Sequence, residues 1–280
     1  IYLDICEKIV RVDPNKIKSG MIDVCEYKSK VEFIKLIKEN NNIWKNDDPV
    51  QCILYYNQFG AGCGKTYESI QLIEKHDDLK NKTTYIYVTK AHSAKDVIFN
   101  EFKEQREKGK LKNFLCDEDD IDEGPKQYKI NYTNIDTAKE CEIIIGTIDS
   151  FIYSICNKSK KKISKNFFMS SVETVKNEGI CKEKDGAIKY AQKNIKLNKD
   201  CLIIVDEAQD LEVRYIEALC KIMRDTYIDV YIIGDKLQSI KSEHNVYTFL
   251  ENNELPYIKI IKNEGKNIVR RFHNSKFIKF

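Results

Sequence analysis

The sequence predicts an α/β fold in which a parallel sheet carries helices on both faces. Three observations predict it. Five short apolar runs rich in β-branched residues punctuate the chain, stretches of helical spacing separate most of them, and a glycine-rich turn joins the first run to the first helical stretch. Strands buried on both faces read as continuous apolar runs rather than as alternating ones, and these runs are continuous.

The elements follow in order. Residues 1–48 hold one helical pattern, Lys28 to Asn40, and form an expected N-terminal helical extension. The predicted strands are Val50 to Tyr56, Thr83 to Thr89, Cys141 to Thr147, Cys201 to Val205 and Asp229 to Ile233. Helical spacing covers Thr66 to Lys75, Ala94 to Lys108, Ile148 to Cys156 and Leu211 to Asp225. These elements place the main domain at 49–255, interrupted twice. Residues 109–140 carry the acidic run Asp117 to Glu123 ahead of Gly124-Pro125 and read as a solvated loop or insertion. Residues 157–200 open on a basic run, Lys158 to Lys165, and continue through a predicted helix, Asp185 to Ile195, as a small inserted subdomain.

Bulk properties bound the partners. Over 280 residues, 47 basic against 44 acidic side chains leave +3, so attraction to a polyanion must come from local patches. No apolar run approaches the ~18 residues of a membrane span, so no membrane partner is expected. Ten cysteines without a Cys-x-x-Cys pair read as reduced, mostly buried thiols, which leads to the expectation of an intracellular protein.

The glycine-rich turn carries the first chemistry. Phe59-Gly60-Ala61-Gly62-Cys63-Gly64-Lys65-Thr66 follows a strand and opens a helix, the context a phosphate loop requires. Gly60, Ala61, Gly62, Cys63 and Gly64 bring backbone N–H groups around phosphate oxygens, with Gly62 and Gly64 supplying conformations that side chains forbid. Lys65 reaches the β- and γ-phosphates of ATP, and the Thr66 hydroxyl ligates Mg2+. Phe59 stands where the usual pattern has glycine, and a glycine turn before a solvated helix start remains the alternative.

The second feature is Val205-Asp206-Glu207-Ala208-Gln209-Asp210, where an apolar strand delivers adjacent carboxylates to the edge at which ligands bind. Asp206 is read as the Mg2+ carboxylate and Glu207 as the group that activates the attacking water. Two neighbouring carboxylates repel without a cation between them. Helix capping is the alternative for Asp206, and the expectation for Asp210.

Asp206-Glu207-Ala208-Gln209-Asp210 resembles motif II of the UvrD, Rep and PcrA branch of superfamily 1 helicases. Ile233-Gly234-Asp235-Lys236-Leu237-Gln238-Ser239-Ile240 is similar to motif III of that branch. The resemblance spans roughly Val50 to Phe280. It implies a RecA-like P-loop NTPase domain, followed from residue 256 by the start of a second RecA-like domain. It also implies Mg2+-dependent ATP hydrolysis coupled to movement on single-stranded DNA and unwinding of duplex DNA, with RNA left open. Gln209 joins the nucleotide-binding set, and Gln238 senses the γ-phosphate.

Asn267 to His273 resembles motif IV, in which Arg271, or alternatively Arg270, would be an arginine finger. Ile145 to Phe151 and Tyr87 to Val97 occupy the places of DNA-contacting segments. Asp149 stands there in place of a histidine and Thr89 in place of a base-stacking aromatic, and after Ser239-Ile240 Lys241 stands in place of a tyrosine. An acid facing a phosphate repels it. The opening Ile1 and the motif near Phe280 lead us to expect a fragment that, by itself, handles ATP weakly. A nucleic-acid-stimulated ATPase that remodels complexes, or a P-loop ATPase unrelated to nucleic acid, stays open beside the helicase.

Overall fold

The computed structural model describes residues 52–264 except 125, 157–166, 181–187, 191–192, 240–244, 254 and 256. The described residues belong to one compact unit, Gln51–Phe280. The extension 1–48, the run Lys158 to Lys165, Lys241, Arg270 and Arg271 lie outside the described residues.

In chain order the elements are β1 (Cys52–Gln58), α1 (Lys65–Lys75), β2 (Thr84–Thr89), α2 (His92–Glu107), β3 (Phe114–Leu115), β4 (Ile121–Glu123), β5 (Tyr128–Asn134), β6 (Lys139–Thr147), α3 (Ile148–Ile155), α4 (Phe167–Glu178), β7 (Ile188–Tyr190), β8 (Lys193–Ile195), β9 (Cys201–Val205), α5 (Val213–Thr226), β10 (Asp229–Gly234), α6 (Val246–Asn252) and β11 (Ile258–Glu264). Nine strands form one sheet in the order β11-β1-β10-β9-β2-β6-β5-β3, with β4 paired to β5. Every pair from β11 to β6 is parallel, and the β6-β5-β3 end is antiparallel.

Side-chain alternation splits the core into two layers. Leu54 and Tyr56 of β1 join Phe151 of α3, Val175 of α4, Leu219 of α5 and Tyr247 of α6 on one face. Tyr55 joins Ile70 of α1 with Phe99 and Phe102 of α2 on the other. Ile143 to Ile145 and Leu202 to Val205 are fully buried. At about 1.5–3 kcal/mol per buried aliphatic side chain, these central strands anchor the sheet. Because β10 and β9 lie between β1 and β2, the carboxyl ends of all four converge where the α1 crossover begins.

Four expectations are corrected. Residues 109–140 are not simply a solvated loop, since β3, β4 and β5 extend the sheet antiparallel to β6. The reason is a period-2 pattern hidden among polar residues: Ile130 and Tyr132 point into the core, and Phe114 stacks on Tyr132 at 4.1 Å. The acidic residues Glu118–Asp120 form a single 3-10 turn capped by Asp117.

The described part of the predicted helix Asp185 to Ile195 is not helical. It is the hairpin β7–β8, in which Ile188 pairs with Ile195 and Tyr190 with Lys193. A boundary at 256 also fails, because β11 pairs in parallel with β1 and completes the first sheet at that edge. Finally, Asp210 caps no helix: Ala208–Asp210 form a 3-10 turn, and α5 starts at Val213, flanked by Glu212.

Candidate active site

The loop from β1 to α1 is shaped by two glycines. Gly62 and Gly64 hold φ of 71° and 80°, in the left-handed region that side chains disfavour. Gly64 precedes Lys65 with no side-chain cap, so first-turn N–H groups of α1 are left for an external acceptor. Lys65 is only 8% exposed, yet its ammonium lies 3.4 Å from Glu207 Oε2.

β9 delivers the carboxylates. Asp206 is 2% exposed; its Oδ2 accepts the Thr66 hydroxyl at 3.0 Å and its Oδ1 accepts the Glu207 N–H at 2.9 Å. Burial first, and then the charge of Glu207, push the Asp206 carboxyl up to about 6. Glu207 itself holds φ 53°, left-handed for a side chain with a Cβ and costing on the order of 1 kcal/mol. Such a residue persists only where its surroundings fix it. Here Lys65 and Gln209 do so, because the Gln209 amide donates to Glu207 Oε2 at 2.6 Å.

Gln209 continues into the next strand end. Its Oε1 accepts the Asp235 N–H at 3.0 Å, tying the carboxylate pair to the turn after β10. Gly234 makes this approach possible, because a Cβ there would stand 2.4 Å from Gln209 Oε1 and 2.5 Å from the Tyr247 hydroxyl. The following turn, Lys236–Gln238, starts with Asp235 Oδ1 accepting the Leu237 N–H at 3.0 Å. Gln238 sits exposed at its end and makes no side-chain hydrogen bond among the described residues.

Thus Lys65, Thr66, Asp206, Glu207 and Gln209 form one connected cluster, with the loop Gly60, Ala61, Gly62, Cys63 and Gly64 beside it. The donor set suits a hard cation. Thr66 and Asp206 offer oxygens only, and two protein oxygens leave room for the waters and phosphate oxygens that Mg2+ retains. Among the described residues no group of three or more His, Cys, Asp and Glu side chains forms a metal cage. The raised Asp206 carboxyl, beside a second acid, is a site that a cation would relieve. A cleft of about 560 Å3 lies at the opposite end of β2 and β6. It gathers Asp120, Glu140 and Glu142, a lining that disfavours phosphate.

The segments matched to nucleic-acid contacts differ from expectation. Asp149 is not a bare acid: Oδ2 pairs with Lys90 Nζ at 2.8 Å and Oδ1 accepts the Tyr215 hydroxyl at 2.6 Å. The Lys90 ammonium also lies 4.3 Å from the Tyr215 ring centroid. Burial, and then the bond to Asp149, raise the Tyr215 phenol. Thr89 is 1% exposed, so it presents no surface for a base.

Sequence reasoning missed Lys90, Tyr215 and Tyr247, whose partners are 59 to 190 residues distant in the chain. All seven described cysteines are buried free thiols. Among the described residues, no helix is long and apolar enough to cross a membrane.

No curated protein matches the chain. The model of a family described as AAA domain, which occurs in UvrD/Rep-like helicases and related P-loop proteins, matches residues 58–243, well over half of the chain. With the phosphate loop, the carboxylate pair and the mostly parallel sheet in place, the chain belongs to the AAA domain family of P-loop NTPases.

Proposed function

We propose that this chain is the ATP-binding motor part of a superfamily 1 helicase or translocase, which couples Mg2+-ATP hydrolysis to movement on single-stranded DNA. The Gln209 bridge carries this reading: one side chain holds the Glu207 carboxylate and the backbone at Asp235. A change at the γ-phosphate that moves Glu207 is thereby transmitted to the exposed turn holding Gln238.

In this mechanism the loop from Gly60 to Gly64 and the ammonium of Lys65 hold the phosphates. Thr66 and Asp206 hold Mg2+, which supplies charge neutralisation when bound. Lys65 leaves Glu207 for the phosphates, and Gln209 keeps that carboxylate oriented. Glu207 then aligns the water that attacks the γ-phosphorus and draws its proton as the bond to the bridging oxygen breaks. Gln238 reads the γ-phosphate, and Arg271 supplies cationic charge to the transferring group.

A P-loop ATPase that does not act on nucleic acid is the second reading. It is favoured by one observation: Lys90, Asp149 and Tyr215 satisfy one another where a nucleic-acid contact is expected. Strand-displacement and ATPase assays of the full-length protein separate the readings. Strand displacement driven by ATP supports the first. An ATPase rate indifferent to both DNA and RNA supports the second. Stimulation without displacement points to a remodelling translocase.

A further inference from the structure

Among the described residues, one polar group beside the active site has no partner. The Thr89 hydroxyl is buried and makes no hydrogen bond with any described residue. A buried hydroxyl left unpaired is costly, so its presence asks for a ligand.

Its place is set by the sheet register. In β2, Tyr85 and Tyr87 face the α1 and α2 layer while Ile86 and Val88 face the other, so Thr89 faces α1. In β9, Leu202 and Ile204 face the same layer, which puts Asp206 on that side too. The ladder pairs Val88 with Val205, and the Asp206 N–H donates to the Val88 carbonyl at 3.0 Å. One step further along the register, Thr89 and Asp206 stand side by side on adjacent strands, whose spacing is about 4.8 Å. On the other flank Thr89 pairs with Thr147, whose hydroxyl is occupied in capping α3 through the Ser150 N–H at 3.3 Å. Of this row of three, Asp206 and Thr147 are engaged within the protein and Thr89 is not.

We propose that Thr89 is a positioning residue of the metal–nucleotide site, its hydroxyl accepting a hydrogen bond from a water on the Mg2+ that Thr66 and Asp206 hold. This rests on the assignment of Mg2+ to those two residues. Mg2+ keeps several waters in an octahedral shell, and each needs an acceptor. Asp206 supplies acceptors on one strand, and Thr89 supplies a neutral one on the next. A neutral acceptor adds no third negative charge beside Asp206 and Glu207.

The test is binding of a fluorescent ATP analogue titrated with Mg2+, for the wild type, Thr89→Val and Thr89→Ser, together with the ligand-free melting temperature of each. Hydrogen bonds of charged partners are worth about 1.5–3 kcal/mol, so Thr89→Val raises the Mg2+ concentration for half-maximal effect about tenfold or more. Thr89→Ser keeps the wild-type value. Metal-free nucleotide binding is equal in all three, and ligand-free Thr89→Val melts no lower than the wild type, since it removes an orphan polar group.

Unchanged Mg2+ dependence in Thr89→Val overturns the inference. So does equal weakening in Thr89→Ser, or a loss of metal-free binding or of melting temperature in Thr89→Val, which marks a purely structural role. A wild type whose nucleotide binding ignores Mg2+ removes the metal assignment beneath it, and the inference with it.

Discussion

Two neighbouring stretches of the same sheet edge treat their polar groups in opposite ways. At the ends of β1, β9 and β10, Lys65, Asp206 and Glu207 are gathered with a strained backbone and a raised carboxyl, an arrangement short of positive charge and open to phosphates and a cation. At the ends of β2 and β6, Lys90, Asp149 and Tyr215 neutralise and hydrogen-bond one another. Both clusters are internally bonded, but the first keeps a raised acid and a left-handed Glu207 backbone that a cation and phosphates would relieve, whereas the second balances its own charge. Stored polar cost thus marks where this fold is built to bind, and a cluster without it leaves a ligand less to relieve.

The largest test of this contrast acts on the first cluster. Lys65→Ala and Glu207→Gln are each expected to lower steady-state ATP hydrolysis by ~10²–10³-fold or more. Glu207→Gln retains nucleotide binding, while Lys65→Ala loses it. Near-normal turnover in either variant would remove the assignment of that side chain.

Asp206 gives the next effect, read as stability against pH. Its carboxyl is raised from 3.8 to about 6, so between those values the native ligand-free chain holds a proton that the unfolded chain has released. The stabilisation is complete below pH 3.8 and is lost as pH rises through about 6, amounting to about 3 kcal/mol. Denaturant unfolding across pH 4–7 measures it, and Asp206→Asn should flatten that slope. An unchanged slope in Asp206→Asn would place the titration elsewhere.

Gly234→Ala should cost about 1–3 kcal/mol, because its Cβ would meet Gln209 Oε1 at 2.4 Å and the Tyr247 hydroxyl at 2.5 Å. Turnover should fall as the Gln209 bridge is displaced. A variant with wild-type melting temperature and turnover would show that the bridge is not needed.

The smallest effect belongs to the satisfied cluster. Asp149→Asn frees Lys90 from its ion pair at a cost of about 1 kcal/mol or less, since both groups are partly exposed. If the segment contacts nucleic acid, binding of single-stranded DNA should tighten by a few fold at low salt, with a steeper salt dependence. Identical binding isotherms would assign the cluster to structure alone.

How much of this was legible in the sequence depended on range. The phosphate loop and the box Asp206 to Asp210 are each contiguous strings at the end of an apolar strand, and the buried parallel strands show as continuous apolar runs, so fold and cluster could be read directly. The pairing of Asp149 with Lys90 and Tyr215 joins residues 59 and 66 positions apart, and no local pattern encodes it. The hairpin β7–β8 is too short to set a period of two apart from helical spacing. β11 takes its edge position from β1, some 200 residues earlier, and its own composition does not tie it to this sheet.

The central claim is that this nucleotide site drives movement on nucleic acid, and the most direct measurement is ATP hydrolysis by the full-length protein with and without single-stranded DNA or RNA. Marked stimulation that disappears in Lys65→Ala is the expected result. A hydrolysis rate that depends on Lys65 but does not respond to either nucleic acid would contradict it.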